Sequence, residues 1–278
     1  PSLGLEPKDS PVTFAGQPAL PSLAYGPDLV SPSGPDSGSL KLLKKATGLG
    51  RANGGPGFPA LGDQIAAPFS GRQELGRARL LLREGGTAQS EKAVERGLEW
   101  IVRHQRADGS WSLNFQDQCQ ADPCPNHRAV ESDTAATGLA LLPLLGAGNI
   151  HNVKCRHQDA VRRGIDWLIA HQQPNGDLFI GPPGIGYLYS HAIATMALCE
   201  AYGLSQDPRL KQPATLAISF IIEAQDPVGG GWRYTPGQAG DTSVFGWNIF
   251  ALRSAHLAGL NIPRATLRAC SGYLDLAS

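Results

Sequence analysis

Asp133, His191 and Asp241 are the residues whose types and placing suit acid–base chemistry. Each stands at the start of a strongly apolar segment: DTAATGLALLPLLGAG (133–148), SHAIATMALCEAYG (190–203) and DTSVFGWNIFALRSAHLAG (241–259). Two carboxylates and an imidazole at equivalent positions would share one rim. There Asp133 would act as acid or base, His191 would orient it, and Asp241 would be a third polar group. Helix capping competes for the same residues. Ser132, Ser190 and Asp241 are good N-caps, and an acid in a first turn suits the helix dipole. Capping accounts for the carboxylates but not for the histidine.

The cysteines are a second source of chemistry. They fall at 119, 124, 155, 199 and 270, an odd count that describes no disulfide framework. The stretch NFQDQCQADPCPNH (114–127) gathers Cys119, Cys124 and His127, which with Cys155 or His157 would offer a metal ligand set. Alternatively, Cys119 and Cys124 pair as a disulfide in an exported protein. The spacing follows no standard zinc pattern, so no metal is assigned, and no cofactor is called for. Cys199 lies in an apolar segment and reads as a small core residue.

The elements that position these groups emerge when the chain is aligned on Gln105, Gln172 and Gln225. Eleven residues before each Gln stand Val94, Val161 and Ala214; eight before stand Gly97, Gly164 and Ala217. Seven before stand Leu98, Ile165 and Ile218; four before stand Ile101, Leu168 and Ile221. These offsets trace one face of an α-helix, and the small residue in the stripe suits close approach of a neighbour. Five before each Gln is an aromatic (Trp100, Trp167, Phe220), and four after is Gly109, Gly176 or Gly229, fit for a turn needing positive φ. Each amphipathic helix is followed by one of the apolar segments, which must be buried on nearly all sides. Gly146 or Gly148, Gly203 and Gly259 end those segments as C-cap signatures. A fourth outer helix begins at ATLRACSGYLDLAS (265–278), where Tyr273 takes the aromatic position and the chain stops mid-unit. That reads as a fragment of a longer protein, with parts missing at both termini.

Residues 1–70 have another character. Eleven of the 22 prolines lie within 1–68, in stretches such as PSGPDSGSL and GGPGFPALG, so this segment is expected to be a disordered Pro/Gly-rich linker. GRQELGRARLLLRE (71–84) is expected to form a short lead-in helix. Lys plus Arg equals Asp plus Glu at 24 each, which excludes the basic footprint of a nucleic-acid binder. No apolar run is long enough to span a bilayer and no signal peptide is visible, which leaves peripheral membrane association open.

GLEWIVRHQRADGSW, GIDWLIAHQQPNGDLF and AISFIIEAQDPVGGGW resemble the QW-type repeat of the squalene cyclase and protein prenyltransferase superfamily, over roughly residues 85–278. The resemblance implies an α/α toroid, an inner ring of helices within an outer ring, with the Gln and aromatic residues bracing helix ends. VESDTA (130–135) is similar to the acidic segment with which squalene-hopene-type cyclases protonate an alkene. Asp133, Thr134 and Ala135 match its end, but Ser132 stands where the family has its proton donor and Val130 where it has its first Asp. Against the zinc ligands of the prenyltransferase β-subunit, Asp133 and His191 match but Ala135 replaces the cysteine. Aromatics of such a lumen stabilise carbocations, and Tyr187, Tyr189, Trp247 and Phe250 are the candidates here. Core packing is the competing fate of each. No Gly-Cys-Gly-Glu-Gln thioester occurs, so the complement kind of toroid is excluded.

The expectation is thus an all-α protein: a disordered segment over 1–70, then a partial α/α toroid of three to four helical hairpins over 71–278. Its expected function is to bind or transform a long apolar isoprenoid in the lumen, with the usual cyclase proton donor lost. If it is an enzyme, it is a terpene cyclase-like isomerase or lyase before a prenyltransferase. The alternative is a non-catalytic scaffold that binds a protein partner. A toroid acting on carbohydrate would need an acidic, wet cleft, against which the apolar inner helices speak.

Overall fold

Apolar stripes of helical period, closed by glycine turns, place helices end to end in antiparallel pairs, and the computed structural model has that form. It describes residues 67–72, 74–119, 124, 131–182, 184 and 186–277. Contacts divide the chain after residue 35. The first unit and the rest of the expected linker as far as residue 66 lie outside the described residues, as do Val130 and His127. The described residues all belong to the second unit, Asp36–Ser278.

Among the described residues the regular structure is entirely helical. The helices are α1 (Glu74–Arg83), α2 (Ala88–Arg103), α3 (Asp133–Gly146), α4 (Gln158–Ala170), α5 (Tyr187–Ser205), α6 (Pro208–Glu223), α7 (Thr242–Leu257) and α8 (Arg264–Ala277). Local chemistry sets their starts. Thr87 and Ser90 form a capping box before α2, Ser132 caps α3, Asp207 caps α6 ahead of Pro208, and Asp241 caps α7.

The α/α arrangement is two-layered. Inner helices α3, α5 and α7 pack side by side, with α5 in the middle. Outer helix α4 lies against α3 and α5, α6 lies against α5 and α7, and α2 lies against α3. Helix α8 joins through Tyr273, which packs on Phe245 of α7 at 4.6 Å between ring centroids. The stripe predicted for the outer helices faces this seam in α4 and α6, where Val161, Ile165, Leu168, Ala214, Ile218 and Ile221 are fully or almost fully buried. In α2 only Leu98 is buried, Ile101 is half-buried, and Val94 and Gly97 are exposed. Gly164 lets the layers close, because a Cβ there would come within 2.8 Å of the Trp111 ring.

The hairpins are braced by a recurring hydrogen-bond pattern. Gln105 Nε2 donates to the carbonyls of Gly109 and Ala160, Gln172 Nε2 to those of Gly176 and Pro213, and Gln225 Nε2 to those of Gly230 and Thr266. Each glutamine therefore ties its own turn to the first half of the next outer helix. Trp111 and Trp232 add indole N–H bonds to the carbonyls of Ile101 and Ile221.

Four expectations need correction. In the third turn the positive φ belongs to Gly230 and not to Gly229, so that turn is one residue longer than the first two. Gly203 does not cap α5, which runs on to Ser205 and ends on Gln206 in the left-handed conformation. Gly203 instead makes room for Phe69, whose ring would lie 2.3 Å from its Cβ. Phe69 is 2% exposed within a 3-10 helix, Ala67–Arg72, so the folded body begins before residue 70. Finally, α5 starts at Tyr187 after an uncapped Gly186, which places Ser190 and His191 a turn inside the helix.

Candidate functional site

The N-terminal ends of the three inner helices meet, as their equivalent positions require. Ser132 Oγ lies 2.8 Å from Ser190 Oγ, joining α3 to α5, and Tyr189 donates its hydroxyl to Ser243 Oγ at 2.9 Å, joining α5 to α7. A row of hydroxyls thus runs along one rim. Asp133 stands at this rim with its carboxylate in an ion pair with Arg106 (2.7 Å), a partner from the first turn that sequence reasoning did not single out. Asp241 accepts from the N–H groups of Ser243 and Val244, so its carboxylate is spent on the start of α7.

His191 is not part of that rim. It is fully buried between layers, with Nδ1 accepting from Leu178 N–H (3.1 Å) and Nε2 3.1 Å from the Ala217 carbonyl of α6. Its ring packs against Phe220, and the nearby carboxylate is Asp177 at 3.2 Å. Both ring nitrogens are engaged in the core, so His191 does not orient Asp133. The correction follows from the helix start: beginning α5 at Tyr187 rotates His191 towards α6.

Asp177 is the residue that sequence reasoning missed. It is buried, and it receives the Tyr187 hydroxyl at 2.6 Å and the Phe179 N–H at 2.9 Å. Burial pushes its carboxyl up, but His191, the Tyr187 hydroxyl and the Phe179 N–H outweigh that and hold it below the usual carboxylate range. Burial and the same bond push the Tyr187 phenol well above its ordinary value. The signal lay in the turn, where Asp177 follows Asn175-Gly176, a position at which a short acid readily bonds backbone.

The four aromatic candidates divide. Tyr187 lies with the outer layer, 4.9 Å from Phe179 and 6.3 Å from Phe220 between ring centroids. Tyr189 lies at the rim beside Tyr234. Trp247 and Phe250 meet edge to face at 6.1 Å on a side of α7 that no described helix covers, and Phe250 is 55% exposed. On α3 the uncovered stripe is Leu139, Leu142, Pro143 and Gly146, and on α5 Met196 is partly exposed. The inner row therefore shows an apolar strip, with Tyr189 and Ser243 as the accessible hydroxyls of the rim and Ser132 and Ser190 buried beneath it.

The cysteine reading also changes. Cys119 and Cys124 are both free thiols, Cys155 bonds the Ile150 carbonyl, and His157 is held by Asn149 through its backbone N–H. Cys199 is the core residue expected, and burial pushes its thiol far up.

No helix among the described residues is long and apolar enough to cross a membrane. In comparison with known proteins, residues 78–179 match the family model of the squalene-hopene cyclase C-terminal domain. The chain is 25% identical over 194 residues to a squalene–hopene cyclase of Bradyrhizobium diazoefficiens, covering 62% of this chain and 27% of that protein. It is 27% identical over 158 residues to a probable squalene–hopene cyclase of Sinorhizobium fredii, covering 54% of this chain and 23% of that one. The chain thus spans about a quarter of the length of the curated relatives it matches.

Proposed function

We propose, from the premise that this chain belongs to the squalene cyclase superfamily, that it supplies part of the wall of a toroid whose lumen binds a long isoprenoid chain. The observation that carries this reading is the uncovered apolar strip: Leu139, Met196, Trp247 and Phe250 lie on inner helices. Burying that strip against a polyprene would be worth about 25 cal/mol for each Å² taken from water. The rim hydroxyls of Tyr189 and Ser243 would face the ligand's polar end or the entrance, while Ser132 and Ser190 stay buried against each other.

Acid-initiated cyclisation is not carried by this segment in our reading. Protonating an alkene needs an undissociated strong acid in a dry site. Ser132 occupies the position of the family's donor and serves as the cap of α3, accepting from Ala135 N–H. Asp133 is 39% exposed at its side chain and tied to Arg106. Binding without protonation is the function that these groups support.

The test is solvent extraction of the complete protein and mass spectrometry of the lipid that comes with it, on wild type and on Phe250→Asp. Phe250 is exposed, so the variant keeps its fold. A stoichiometric polyprene or triterpenoid on the wild type, reduced about tenfold or more by the carboxylate, is the expected result. A folded wild-type protein free of lipid, and inert towards added squalene, would refute lumen binding and favour a protein-interaction role.

A further inference from the structure

His104 ends α2, and its ring is held more firmly than a capping role requires. Nδ1 lies 2.7 Å from the Trp100 carbonyl, to which it donates, so in the neutral ring the lone pair belongs to Nε2. Trp100 stacks on the imidazole at 4.0 Å, Phe115 meets it edge-on at 5.8 Å, and the side chain is buried. Nε2 points at two sulfurs: Cys119 Sγ at 3.4 Å and Cys124 Sγ at 3.5 Å. All three atoms lie within 4.8 Å of one another.

We propose that His104, Cys119 and Cys124 form a binding site for a thiophilic divalent metal ion, zinc being the best fit. The distances suit one central ion. With zinc–sulfur bonds of about 2.3 Å and zinc–nitrogen bonds of roughly 2.0–2.1 Å at tetrahedral angles, N and S ligands stand about 3.6 Å apart. As a thiol, Cys119 also donates through Sγ to the Phe115 carbonyl at 3.5 Å. Cys124 N–H donates to Cys119 Sγ at 3.3 Å and Trp100 Nε1–H donates to Cys124 Sγ at 3.4 Å, so each sulfur receives an N–H. The Nδ1–carbonyl bond is the second contact that metal-bound histidines keep, fixing the tautomer and the ring plane.

The next hairpin supplies an internal comparison. His171 occupies the same place after α4, bonds the Trp167 carbonyl through Nδ1 at 2.8 Å and packs on Trp167, yet it is exposed and no cysteine faces it. Capping alone therefore needs neither burial nor sulfur; the first turn has both. Three protein ligands leave one of four positions to water or another donor. Loading the site expels the two thiol protons to solvent and pins residues 119 and 124 to the end of α2. This site lies apart from the apolar strip and does not depend on the lumen reading.

The test uses the full chain, purified reduced and without chelator, with metal content measured directly and Co²⁺ as the probe. One equivalent of bound zinc, and on replacement by Co²⁺ the sulfur-to-metal charge-transfer and tetrahedral d–d bands, is the expected result. Those bands disappear in Cys124→Ser and His104→Asn and persist in His171→Asn. Trp100→Phe, which removes the N–H donor to sulfur and leaves a smaller ring stacked on His104, retains the bands but weakens metal affinity by about 10–100-fold. Failure to bind either metal, spectra unchanged in Cys124→Ser, or a Cys119–Cys124 disulfide in the isolated protein by alkylation and mass spectrometry would each overturn the proposal.

Discussion

Asp177 shows how much a single carboxylate can organise. It collects a hydroxyl and an N–H and stands beside an imidazole, so that a turn, the start of α5 and the buried His191 depend on it. Its carboxyl is held below the ordinary aspartate value of about 3.9 in the folded state. The stability it contributes is therefore complete above that value and lost as pH falls through it and then through the lower folded value. Asp177→Asn should cost about 1–3 kcal/mol near neutrality and flatten the decline below pH about 4. Urea unfolding at a series of pH values checks this; parallel wild-type and variant curves would refute the linkage. Asp207, held down by Arg209 against the effect of burial, with His151 adding to the pull, gives a second acid limb that this variant leaves in place. None of this was legible from residue types. Asp133, His191 and Asp241 looked equivalent because each heads an apolar run, and only the start of α5 separates the buried histidine from the rim.

At the scale of the helix pair, the sequence says more. Offsets from Gln172 and Gln225 marked the buried face correctly, because a 3.6-residue period keeps the same positions on the seam. In the Gln105 copy only Leu98 of the stripe along α2 is buried, and Val94 and Gly97 are exposed. Two details escaped it. Three consecutive glycines, Gly229 to Gly231, concealed the extra residue of the third turn. The glycine of the stripe, moreover, is not one thing. Gly164 is packed against Trp111 and Leu141, whereas nothing lies within 4 Å of a Cβ on Gly97. Gly97→Ala should accordingly stabilise the protein by about 0.5–1 kcal/mol through helix propensity alone. Gly176→Ala should do the reverse. Its φ is +93°, and the added carbon would fall 2.1 Å from the Leu216 carbonyl oxygen of α6, a backbone atom that cannot step aside. A loss of about 2 kcal/mol or more is expected. Chemical denaturation of the two variants side by side settles both, and equal effects would show that the turn does not clamp the next helix.

Across the whole folded body, the segment before α1 does what composition did not suggest. Residues 1–70 looked like linker because proline and glycine dominate them, yet Phe69 of that segment and Arg72 just after it pass over the ends of two inner helices. A Cβ on Gly148, just past α3, would lie 2.5 Å from the Arg72 carbonyl oxygen. Phe69 fills the notch at Gly203 of α5. Arg72 reaches the buried Glu200 at 2.6 Å, and Glu200 also accepts from Ser254 of α7. Lead-in segment, α5 and α7 are thus tied at one carboxylate. Gly203 was legible only as a helix-ending glycine; its actual partner lies more than a hundred residues earlier, a distance that no local pattern encodes. The pairing makes a prediction that neither residue makes alone. Phe69→Ala should cost about 3–5 kcal/mol, as removal of a buried ring does. Gly203→Ala should destabilise the wild type, because the methyl needs the space the ring occupies. In the Phe69→Ala background that space is vacant, and the same alanine should gain about 1 kcal/mol from helix propensity. A reversal of sign in the double-mutant cycle, read by thermal or urea unfolding, means that the lead-in segment is part of the inner-helix core. A Gly203→Ala cost that is the same in both backgrounds means that Phe69 only rests on the surface, and the folded body begins at α1.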